Sequence, residues 1–397
     1  MRKSTRSRPA RKADFPLGQH KARGYWIKKV RGKIHYFGKI ADDPDGKAAL
    51  ERWLREKDYL LNGLTPPDDP SGLTVRELAN RFLTAKTALI RSGELTRPTF
   101  YTYHAACGRL VDALGERRLV ADLTPTDFGN LREKRAEGRG PAALGHEIAI
   151  IRMVLKFAWD SGFLERPVRF GQSFDKPSRK TMRIERAKRG EKMFEAAELR
   201  TILDAANVPM RAFVLLGLNC AFGASDLARL PKAAIDLGTG WIVFPRGKTG
   251  IKRRCSLWPE TAAAIKEAIE QRPDAKVKAD DAIAFLTPDG KRWMRLRQVE
   301  GQDWATSNDL LGREFSSLLA ALGLTRNGRG FYTLRHVFRT IADEAKDQPA
   351  AGFIMGHHDP SMAAAYRERI SDARLRAVAD HVRAWLFDVA TGEKGGC

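Results

Sequence analysis

Hydrophobic positions along this chain recur mostly at helical spacing, with two segments that read as β-hairpins. Residues 25–40 interleave aromatic, aliphatic and basic side chains on both sides of an Arg-Gly-Lys turn, which predicts two short strands. Residues 46–61 continue with a helical pattern. Residues 241–257 contain two β-prone runs around a Gly-containing turn and predict a second hairpin. The pattern therefore indicates a mainly α protein with small β elements, which begins with a small β-rich module.

Three helical patterns follow one another between residue 73 and about residue 170. The first two have a partial apolar face, and the third, around residues 146–161, is apolar on much of its circumference, as a core helix would be. Their apolar positions are Leu73, Leu78, Phe82 and Leu83; Tyr101, Ala105, Leu110 and Leu114; and Ile148, Ile151, Met153, Val154, Leu155, Phe157, Ala158 and Trp159. These positions predict an all-α unit over residues 73–170.

Two polar segments divide the chain. Prolines 66, 67 and 70 between two glycines predict a linker that ends a first module at about residue 65. Residues 171–192 are polar and basic and predict a second linker, either a plain exposed connector or one that crosses a DNA backbone. Beyond it, the helical patterns of a mainly α domain over residues 193–390 lie at about 196–205, 210–220, 260–271, 308–322, 333–345 and 361–366.

Positive charge is concentrated at the start of the chain. The net charge is +22 over 397 residues, and residues 1–33 contain twelve Lys or Arg against Asp14 alone, which is half of the excess. Such a tail implies a polyanionic partner. Nucleic acid is favoured over a membrane because no apolar run approaches the roughly 20 residues of a spanning helix. Residues 1–24 are expected to form a disordered basic arm.

The cysteines and histidines give no sign of a metal site. Cys107, Cys220, Cys255 and Cys397 are widely spaced without a CxxC pair, and the histidines form no HExxH motif. We therefore predict no metal and no disulfide framework. Reduced thiols in a cytoplasmic protein are the expectation.

Three short segments near the end of the chain contain residue types that suit phosphoryl transfer. They are Tyr332-Thr333-Leu334-Arg335-His336-Val337-Phe338, Met355-Gly356-His357-His358-Asp359-Pro360 and Ala364-Ala365-Tyr366. A phosphodiester under attack gathers negative charge on its non-bridging oxygens, which guanidinium forks and imidazole N–H groups offset when no metal is used. A tyrosine can supply the nucleophile, and the covalent phosphotyrosine keeps the energy of the broken bond for religation without ATP.

Lys248, in the predicted hairpin at residues 241–257, can donate the proton that the leaving 5′ oxygen needs. Each of these residues also has a structural alternative. The hairpin can merely contact phosphates. Arg335 can form an ion pair, His336 can support the fold, and Tyr366 can be a half-buried aromatic. Taken singly, the structural alternatives are favoured, whereas the joint spacing favours an active site.

The three segments resemble the signature boxes of the tyrosine recombinase and phage integrase family, which also carries its catalytic lysine on such a hairpin. The resemblance implies a site-specific recombinase of a mobile element that cuts and rejoins DNA through a 3′-phosphotyrosine, without metal, cofactor or ATP. It implies that Tyr366 attacks, that Arg335 and His357 hold the phosphate, that Lys248 protonates the 5′ oxygen and that Tyr332 assists. Two strand exchanges would follow in a homo-tetramer on paired sites of double-stranded DNA.

The resemblance also assigns the domains. Residues 25–65 are similar to an arm-type DNA-binding module, with a non-specific basic module as the alternative, residues 73–170 to a core-binding domain and residues 193–390 to a catalytic domain. DNA contacts are expected from basic residues of the two hairpins, namely Lys28, Lys29, Arg31, Lys33, Arg246, Arg253 and Arg254.

The sequence departs from the family at two positions. The first family arginine lies two residues before a Ser/Gly-Glu/Asp-Leu segment, and here that position is Gly223. Tyr332 takes the place of a His or Lys and is neutral near pH 7. Losing one transition-state donor typically costs about 10²–10³ in rate. Arginines that could fill the gap are Arg211, Arg229, Arg246, Arg253 and Arg254.

Two other functions stay open. A recombinase-fold DNA-binding protein that lost catalysis with the first arginine is the main alternative. A type IB topoisomerase shares the nucleophile chemistry and is less favoured because an arm and a core-binding layout precede the site.

An apolar stripe at helical spacing follows the tyrosine, behind a possible N-cap at Ser371-Asp372. Its members are Leu375, Val378, Ala379, Val382 and Leu386. In the resembling family a C-terminal helix docks on the neighbouring protomer, and Trp385 and Phe387 favour such docking here. Packing of this helix on its own domain is the alternative.

Overall fold

The computed structural model describes residues 15–63, 66, 72–298 and 300–388. The chain divides into two compact units, one made of Met1–Glu185 with Gln298–Ala305 and the other of Arg186–Arg297 with Thr306–Cys397. Residues 1–14 of the predicted arm, most of the proline-containing linker and the last two residues of the predicted 193–390 domain lie outside the described residues. The fold is mainly α with small antiparallel sheets, so the predicted fold class is confirmed.

The first unit begins with a three-stranded antiparallel sheet, β1 (Gly18–His20), β2 (Tyr25–Val30) and β3 (Lys33–Lys39). The β2–β3 turn, Arg31-Gly32, has positive φ at both residues (49° and 84°). A two-residue hairpin turn needs this conformation to match the right-handed twist of its two strands. β1 corrects the expectation of disorder up to residue 24. Its backbone pairs with β2, and Leu17 just before it is buried in the module's core, which outweighs the local polar composition.

Helix α1 (Lys47–Leu61) packs on this sheet through a small core that includes Trp26, Phe37 and Trp53. The Tyr59 hydroxyl at its end accepts from the Leu119 backbone N–H at 2.5 Å and donates to Asp122 at 3.1 Å. Burial raises the pKa of Tyr59 to about 12, so the hydroxyl keeps its proton. The tyrosine thus joins the β-rich module to the helices that follow it within the first unit.

Four helices complete the first unit: α2 (Val75–Arg91), α3 (Arg97–Leu114), α4 (Pro125–Ala136) and α5 (Pro141–Asp160). Thr74 and Thr124 start α2 and α4 with capping boxes. The sequence did not predict α4, because only Phe128 and Leu131 of its residues are buried and its apolar pattern is weak. Met153 and Trp159, predicted as core positions, are exposed on α5.

The segment predicted as the 171–192 linker contains α6 (Arg179–Lys188), a helix without a buried residue. The sequence did not predict it, because a helix with no buried face leaves no apolar stripe to detect.

The second unit is built from nine helices and two small sheets among its described residues. The helices are α7 (Ala196–Ala205), α8 (Val208–Asn219), α9 (Ala224–Leu227), α10 (Pro259–Glu270), α11 (Leu310–Ala321), α12 (Thr333–Glu344), α13 (Gln348–Met355), α14 (Met362–Ala365) and α15 (Asp372–Phe387). The strands are β4 (Ile235–Asp236), β5 (Trp241–Val243) and β6 (Arg254–Ser256) in one sheet and β7 (Met294–Gln298) and β8 (Ala305–Asp309) in the other. β5 and β6 pair antiparallel, so the predicted hairpin at residues 241–257 is present.

Helix α12 lies against α8 at a close approach. A Cβ atom at Gly217 would come within 2.9 Å of Leu334 Cδ1 and 3.1 Å of its Cβ. Glycine at this position therefore lets α12 pack tightly on α8. This packing fixes the position of Arg335, the residue that follows Leu334 on α12.

Helix α15 corrects the expectation of docking on a neighbouring protomer. All five residues of its apolar stripe are buried within the second unit, where α15 packs on α7, α8, α12, α13 and β6. The Trp258 indole N–H donates to the Ala379 carbonyl at 2.9 Å, and the Phe387 ring packs edge-on against Trp258. The apolar face of α15 has to pack against other apolar side chains, and the core of the second unit provides them.

None of the helices in the described part of the chain has both the length and the apolar composition required to cross a bilayer.

Candidate active site

Arg335 lies in the first turn of α12 and is only 3% exposed. Its Nη1 donates to the Ala221 carbonyl, and its Nη2 donates to the Met355 carbonyl at 2.6 Å. No carboxylate among the described residues forms an ion pair with it, and its Nε–H has no hydrogen-bond partner there. Burial and then the charge of Arg246 lower the pKa of Arg335 to about 10. The guanidinium is therefore fixed in position while its charge is left uncompensated by a carboxylate.

Ala221 has a left-handed backbone, with φ at 53°, in the turn between α8 and α9. Non-glycine residues rarely adopt this conformation, which costs roughly 1–3 kcal/mol and tends to occur at functional sites. The hydrogen bond from Arg335 to its carbonyl is one interaction that holds the turn in this form.

A cavity of about 370 Å³ brings three of the five predicted catalytic residues together. Arg335, Tyr332 and Lys248 line it, with Arg246 beside them. Gly223 and Asp226 lie on its wall. With Arg229, which also lines it, the cavity combines a lysine ammonium, a phenol and three guanidinium groups, all of which are hydrogen-bond donors to an anion.

Lys248 is exposed in the loop between β5 and β6. The loop closes on itself through bonds from the Arg246 N–H to the Ile251 carbonyl at 2.9 Å and from the Gly250 N–H to the Arg246 carbonyl at 2.8 Å. The Thr249 hydroxyl donates to the Gly356 carbonyl at 3.1 Å. These bonds set the loop, while the lysine ammonium itself makes no hydrogen bond or ion pair within the described residues.

His357 follows the turn that ends α13. Gly356 there has φ at 64°, and a Cβ atom on it would lie 2.9 Å from Arg246 Cβ and 2.8 Å from Arg253 Cδ. Only glycine satisfies both the backbone and the space. Burial, and then the charges of Arg335 and Arg246, lower the pKa of His357. The imidazole is therefore neutral near pH 7 and keeps one N–H donor.

Tyr366 follows the short helix α14, which Ser361 caps by accepting from the Ala364 N–H. Its side chain is 81% exposed, and its hydroxyl makes no hydrogen bond within the described part of the chain. It does not line the cavity that holds Arg335. The structure thus brings Lys248, Tyr332 and Arg335 together and leaves the predicted nucleophile on the surface.

A second cavity, of about 540 Å³, lies beside His357. Its wall includes His357, Arg339 and residues on both sides of the tyrosine, Pro360 and Ser361 before it and Arg367 after it among them. His357 is therefore the predicted site residue next to the segment that carries Tyr366.

Tyr332 is 56% exposed, and its ring packs edge-on against His336 with the centroids 5.3 Å apart. The neighbouring imidazole is exposed as well. Burial and the charges of Lys192 and Arg335 lower the pKa of His336. Its contact with Tyr332 makes His336 a neighbour of the site, whereas the sequence favoured equally a support of the fold and a DNA contact.

Arg253, one of the candidates to fill the gap left at Gly223, is buried against Asp226. This side chain is 1% exposed, and its Nη1 and Nη2 lie 3.2 and 3.1 Å from the two carboxylate oxygens of Asp226. Its Nε donates to the Phe244 carbonyl at 2.9 Å, and its guanidinium lies 4.4 Å from the centre of the Phe222 ring. The expected DNA contact of Arg253 is therefore wrong, because protein groups surround the guanidinium.

The other candidate arginines lie in different surroundings. Arg254 forms a two-point ion pair with Asp372, at 2.7 and 2.8 Å, and Arg211 donates to the Leu203 carbonyl. Neither lines the 370 Å³ cavity, whereas Arg246 and Arg229 do. Arg229 donates through Nε to the Ser225 carbonyl at 2.8 Å.

In the N-terminal module, Lys28 lies on the core side of β2. Its ammonium donates to the Pro16 carbonyl at 2.6 Å and lies 5.6 Å from the centre of the Trp53 ring. This bond uses the ammonium inside the module, and contact of Lys28 with DNA stays a prediction. Lys29, Arg31 and Lys33 are exposed around the β2–β3 turn, and their contact with DNA stays a prediction.

Comparison with solved structures returns integrases. A lambda integrase fragment, a dimer bound to a COC′ core site, matches with TM-score 0.55 and 14% identity over 76% of this chain and all of that one. A lambda integrase tetramer bound to a Holliday junction matches with TM-score 0.55 and 15% identity over 91% and 98%. The Tn1549 transposon integrase with transposon right end DNA matches with TM-score 0.53 and 14% identity over 79% and 100%.

Among curated proteins, no sequence matches significantly. The model of the phage integrase family matches residues 192–371, the range that contains Lys248, Tyr332, Arg335, His357 and Tyr366. The chain therefore contains a domain of the phage integrase family at residues 192–371.

Proposed function

We propose that the protein is a site-specific recombinase of the integrase type that cuts and rejoins double-stranded DNA through a 3′-phosphotyrosine, without metal or ATP. The observation that carries the proposal is the cavity shared by Arg335, Tyr332 and Lys248. Its central guanidinium is held by two backbone carbonyls and has no carboxylate partner among the described residues. A phosphate of the DNA backbone is the natural partner for such a group.

The reaction follows from the donors at the site. Arg335 and His357 bind the non-bridging oxygens of the scissile phosphate and stabilise the charge that grows there during attack. Tyr366 gives its proton to solvent water and its oxygen forms the new P–O bond, the P–O5′ bond breaks, and Lys248 protonates the leaving oxygen. Tyr332 donates its phenolic hydrogen to the phosphate in place of the usual His or Lys. Attack by a 5′ hydroxyl on the phosphotyrosine reverses these steps and reseals the strand.

Tyr366 must move to the phosphate for this chemistry. The tyrosine lies between Ser361, which caps α14, and Arg367, whose guanidinium contacts the Asp359 carboxylate at 3.4 Å. The ring is 81% exposed, and within the described residues it makes no hydrogen bond or aromatic contact that would have to break first. We propose that DNA bound over the cavity supplies the surface on which this segment closes.

Charge and the solved relatives support the DNA substrate. The chain carries a net charge of +22, and Lys29, Arg31 and Lys33 project from one turn of the N-terminal sheet. The lambda integrase relatives are a dimer on a core site and a tetramer on a Holliday junction. We propose that this protein likewise assembles as a homo-tetramer on two DNA sites, with residues 25–65 binding arm-type DNA, residues 73–170 binding the core site and residues 193–390 catalysing exchange.

One observation favours a second candidate function, a DNA-binding protein without catalytic activity. Gly223 supplies no guanidinium where the family has its first arginine. Nicked suicide duplexes taken from the DNA that flanks the gene separate the two functions. The recombinase forms a covalent protein–DNA adduct, whereas the silent protein binds the same duplex without forming one.

A further inference from the structure

We propose that Arg246 is the second guanidinium that binds the scissile phosphate, in place of the arginine that Gly223 lacks. This inference rests on the proposed function and adds a catalytic residue to it. Arg246 lines the same cavity as Arg335, Tyr332 and Lys248. It reaches that cavity from the β5–β6 loop, so the donor comes from a different part of the chain than position 223.

The guanidinium of Arg246 makes few interactions within the described residues. Its only described side-chain hydrogen bond runs from Nη1 to the Gly356 carbonyl at 3.4 Å, and no carboxylate among the described residues forms an ion pair with it. Its backbone is held firmly by the bonds that close the loop, from its own N–H to Ile251 and to its carbonyl from Gly250. The side chain is thus placed but largely unsatisfied, as a ligand-binding arginine would be.

Two guanidinium groups in one cavity repel each other. The charge of Arg246 lowers the pKa of both Arg335 and His357. Two acidic groups lie on the cavity wall: Asp226, which Arg253 binds through both of its oxygens, and Asp309, which accepts from the Gly312 N–H at 2.8 Å. The cavity therefore holds uncompensated positive charge, which a bound phosphate would neutralise.

The Arg253–Asp226 pair explains how this arrangement persists without an arginine at position 223. Asp226 is buried, and an unpaired carboxylate there would be costly. Arg253 supplies the positive partner from behind the cavity, where it is 1% exposed and has no access to a ligand. Arg246 is therefore not drawn onto Asp226, and its donors stay available to an anion.

The remaining arginines fit the role less well. Arg254 is bound to Asp372, and Arg211 donates to the Leu203 carbonyl away from the cavity. Arg229 does line the cavity, but its Nε is bound to Ser225 and its Nη2 lies 3.9 Å from Asp226, so it shares the charge of that carboxylate.

The test compares single-turnover cleavage of pre-bound suicide duplex by full-length variants. We expect Arg246→Ala to slow adduct formation about 10²–10³-fold, the usual loss for one transition-state donor, and Arg246→Lys to retain part of the rate. Lys252→Ala is the matched control, because Lys252 is an exposed cation of the same hairpin that does not line the cavity, and its rate should stay within about threefold of wild type. Equal rates for Arg246→Ala and Lys252→Ala would overturn the inference.

A rescue variant separates a lost donor from a damaged fold. Gly223 has ordinary backbone angles, φ −94° and ψ 168°, and a Cβ atom there would meet nothing closer than Asp226 Oδ2 at 3.8 Å. A Cβ atom therefore fits at this position, and Gly223 lines the cavity into which a longer side chain would extend. Gly223→Arg added to Arg246→Ala should recover at least about tenfold of the lost rate. A double variant as slow as Arg246→Ala, with an unchanged urea unfolding midpoint, would count against the inference.

A binding measurement distinguishes failure of this inference from failure of the proposed function. If the wild-type protein forms no adduct with any flanking duplex, the proposed function is wrong, and inorganic phosphate still probes the cavity by calorimetric titration. We expect Arg246→Ala to weaken phosphate binding about tenfold or more and Lys252→Ala to leave it unchanged. Equal phosphate affinity in wild type and Arg246→Ala would overturn the assignment of Arg246 in that case too.

Discussion

The Thr249 hydroxyl donates to the Gly356 carbonyl at 3.1 Å, across 107 positions of the sequence. The bond ties the loop that carries Lys248 to the turn that carries His357. The proposed general acid and a proposed phosphate ligand are thereby held by one contact between the β5–β6 hairpin and the end of α13. The geometry of the site depends on this contact, and the close fit around Gly356 makes it testable.

We expect Gly356→Ala to lower both the free energy of unfolding and the rate of DNA cleavage. The substitution puts a Cβ atom on a residue with φ at 64° and within 2.9 Å of Arg246 Cβ, so its cost should be about 1–3 kcal/mol. Gly352→Ala in the same helix is the control, because a Cβ there meets nothing within 4 Å. Urea unfolding measures the free energy of unfolding of both variants. Equal values would show that the turn at Gly356 tolerates a side chain.

Arg253, just before β6, and Arg254, its first residue, should differ sharply in how much they contribute to the free energy of unfolding. Arg253→Ala leaves the Asp226 carboxylate buried and unpaired, which should cost about 3–5 kcal/mol. Arg254→Ala breaks a largely exposed pair with Asp372 and should cost about 1 kcal/mol or less. Chemical denaturation of the two variants measures the difference. A smaller loss for Arg253→Ala than for Arg254→Ala would contradict the buried role assigned to Arg253.

Stability should fall as the pH drops through the range where histidine titrates. Burial and nearby cations lower the pKa of His336 and His357 in the folded protein. Below about pH 6.5 the unfolded chain binds protons that the folded chain does not, so stability falls until the folded pKa values are passed, while above that pH neither histidine contributes. The His336→Gln, His357→Gln double variant should lose less stability between about pH 7.5 and about pH 5.5. An identical loss in wild type and double variant would refute this linkage.

The first fourteen residues should add salt-dependent DNA affinity. They contain six Lys or Arg and one Asp. Deleting them should reduce the slope of log K against log salt concentration by about 0.9 for every phosphate that they neutralise. Exchanging the six basic residues for serine in the full-length chain is the matched control, since it removes charge and keeps length. DNA binding measured at several salt concentrations tests this. If neither variant changes the slope of log K against log salt concentration, the segment does not contribute to DNA binding.

The helices with a clear apolar face were predictable from the sequence. Residues 196–205 and 260–271 were predicted almost to their ends, as α7 (Ala196–Ala205) and α10 (Pro259–Glu270). The β7–β8 hairpin was missed because its strands, Met294–Gln298 and Ala305–Asp309, are short and mostly polar, with only Met294, Leu296 and Ala305 apolar. Its existence follows from pairing between strands, which a single-sequence pattern does not record.

The site was predictable in its residue types and not in its geometry. Arg253 just precedes β6 and Arg254 is its first residue, so their side chains face opposite sides, but the register that decides which one points inward is a tertiary property. Likewise, the apolar stripe on α15 predicted that this face is buried but not which residues bury it, and these are the core residues around Trp258. The position of Asp226 opposite Arg253 decided which arginine is buried and which remains for the cavity.

The most direct test of the account is to map the covalent bond between protein and DNA. Adduct formed on a suicide duplex is digested with protease and nuclease, and the modified peptide is sequenced by mass spectrometry, with Tyr366→Phe as the control. We expect a nucleotide joined through its 3′ phosphate to Tyr366, no adduct from Tyr366→Phe, and DNA affinity of that variant within about 1 kcal/mol of wild type. A nucleotide on any other residue, or an undiminished adduct from Tyr366→Phe, would contradict it.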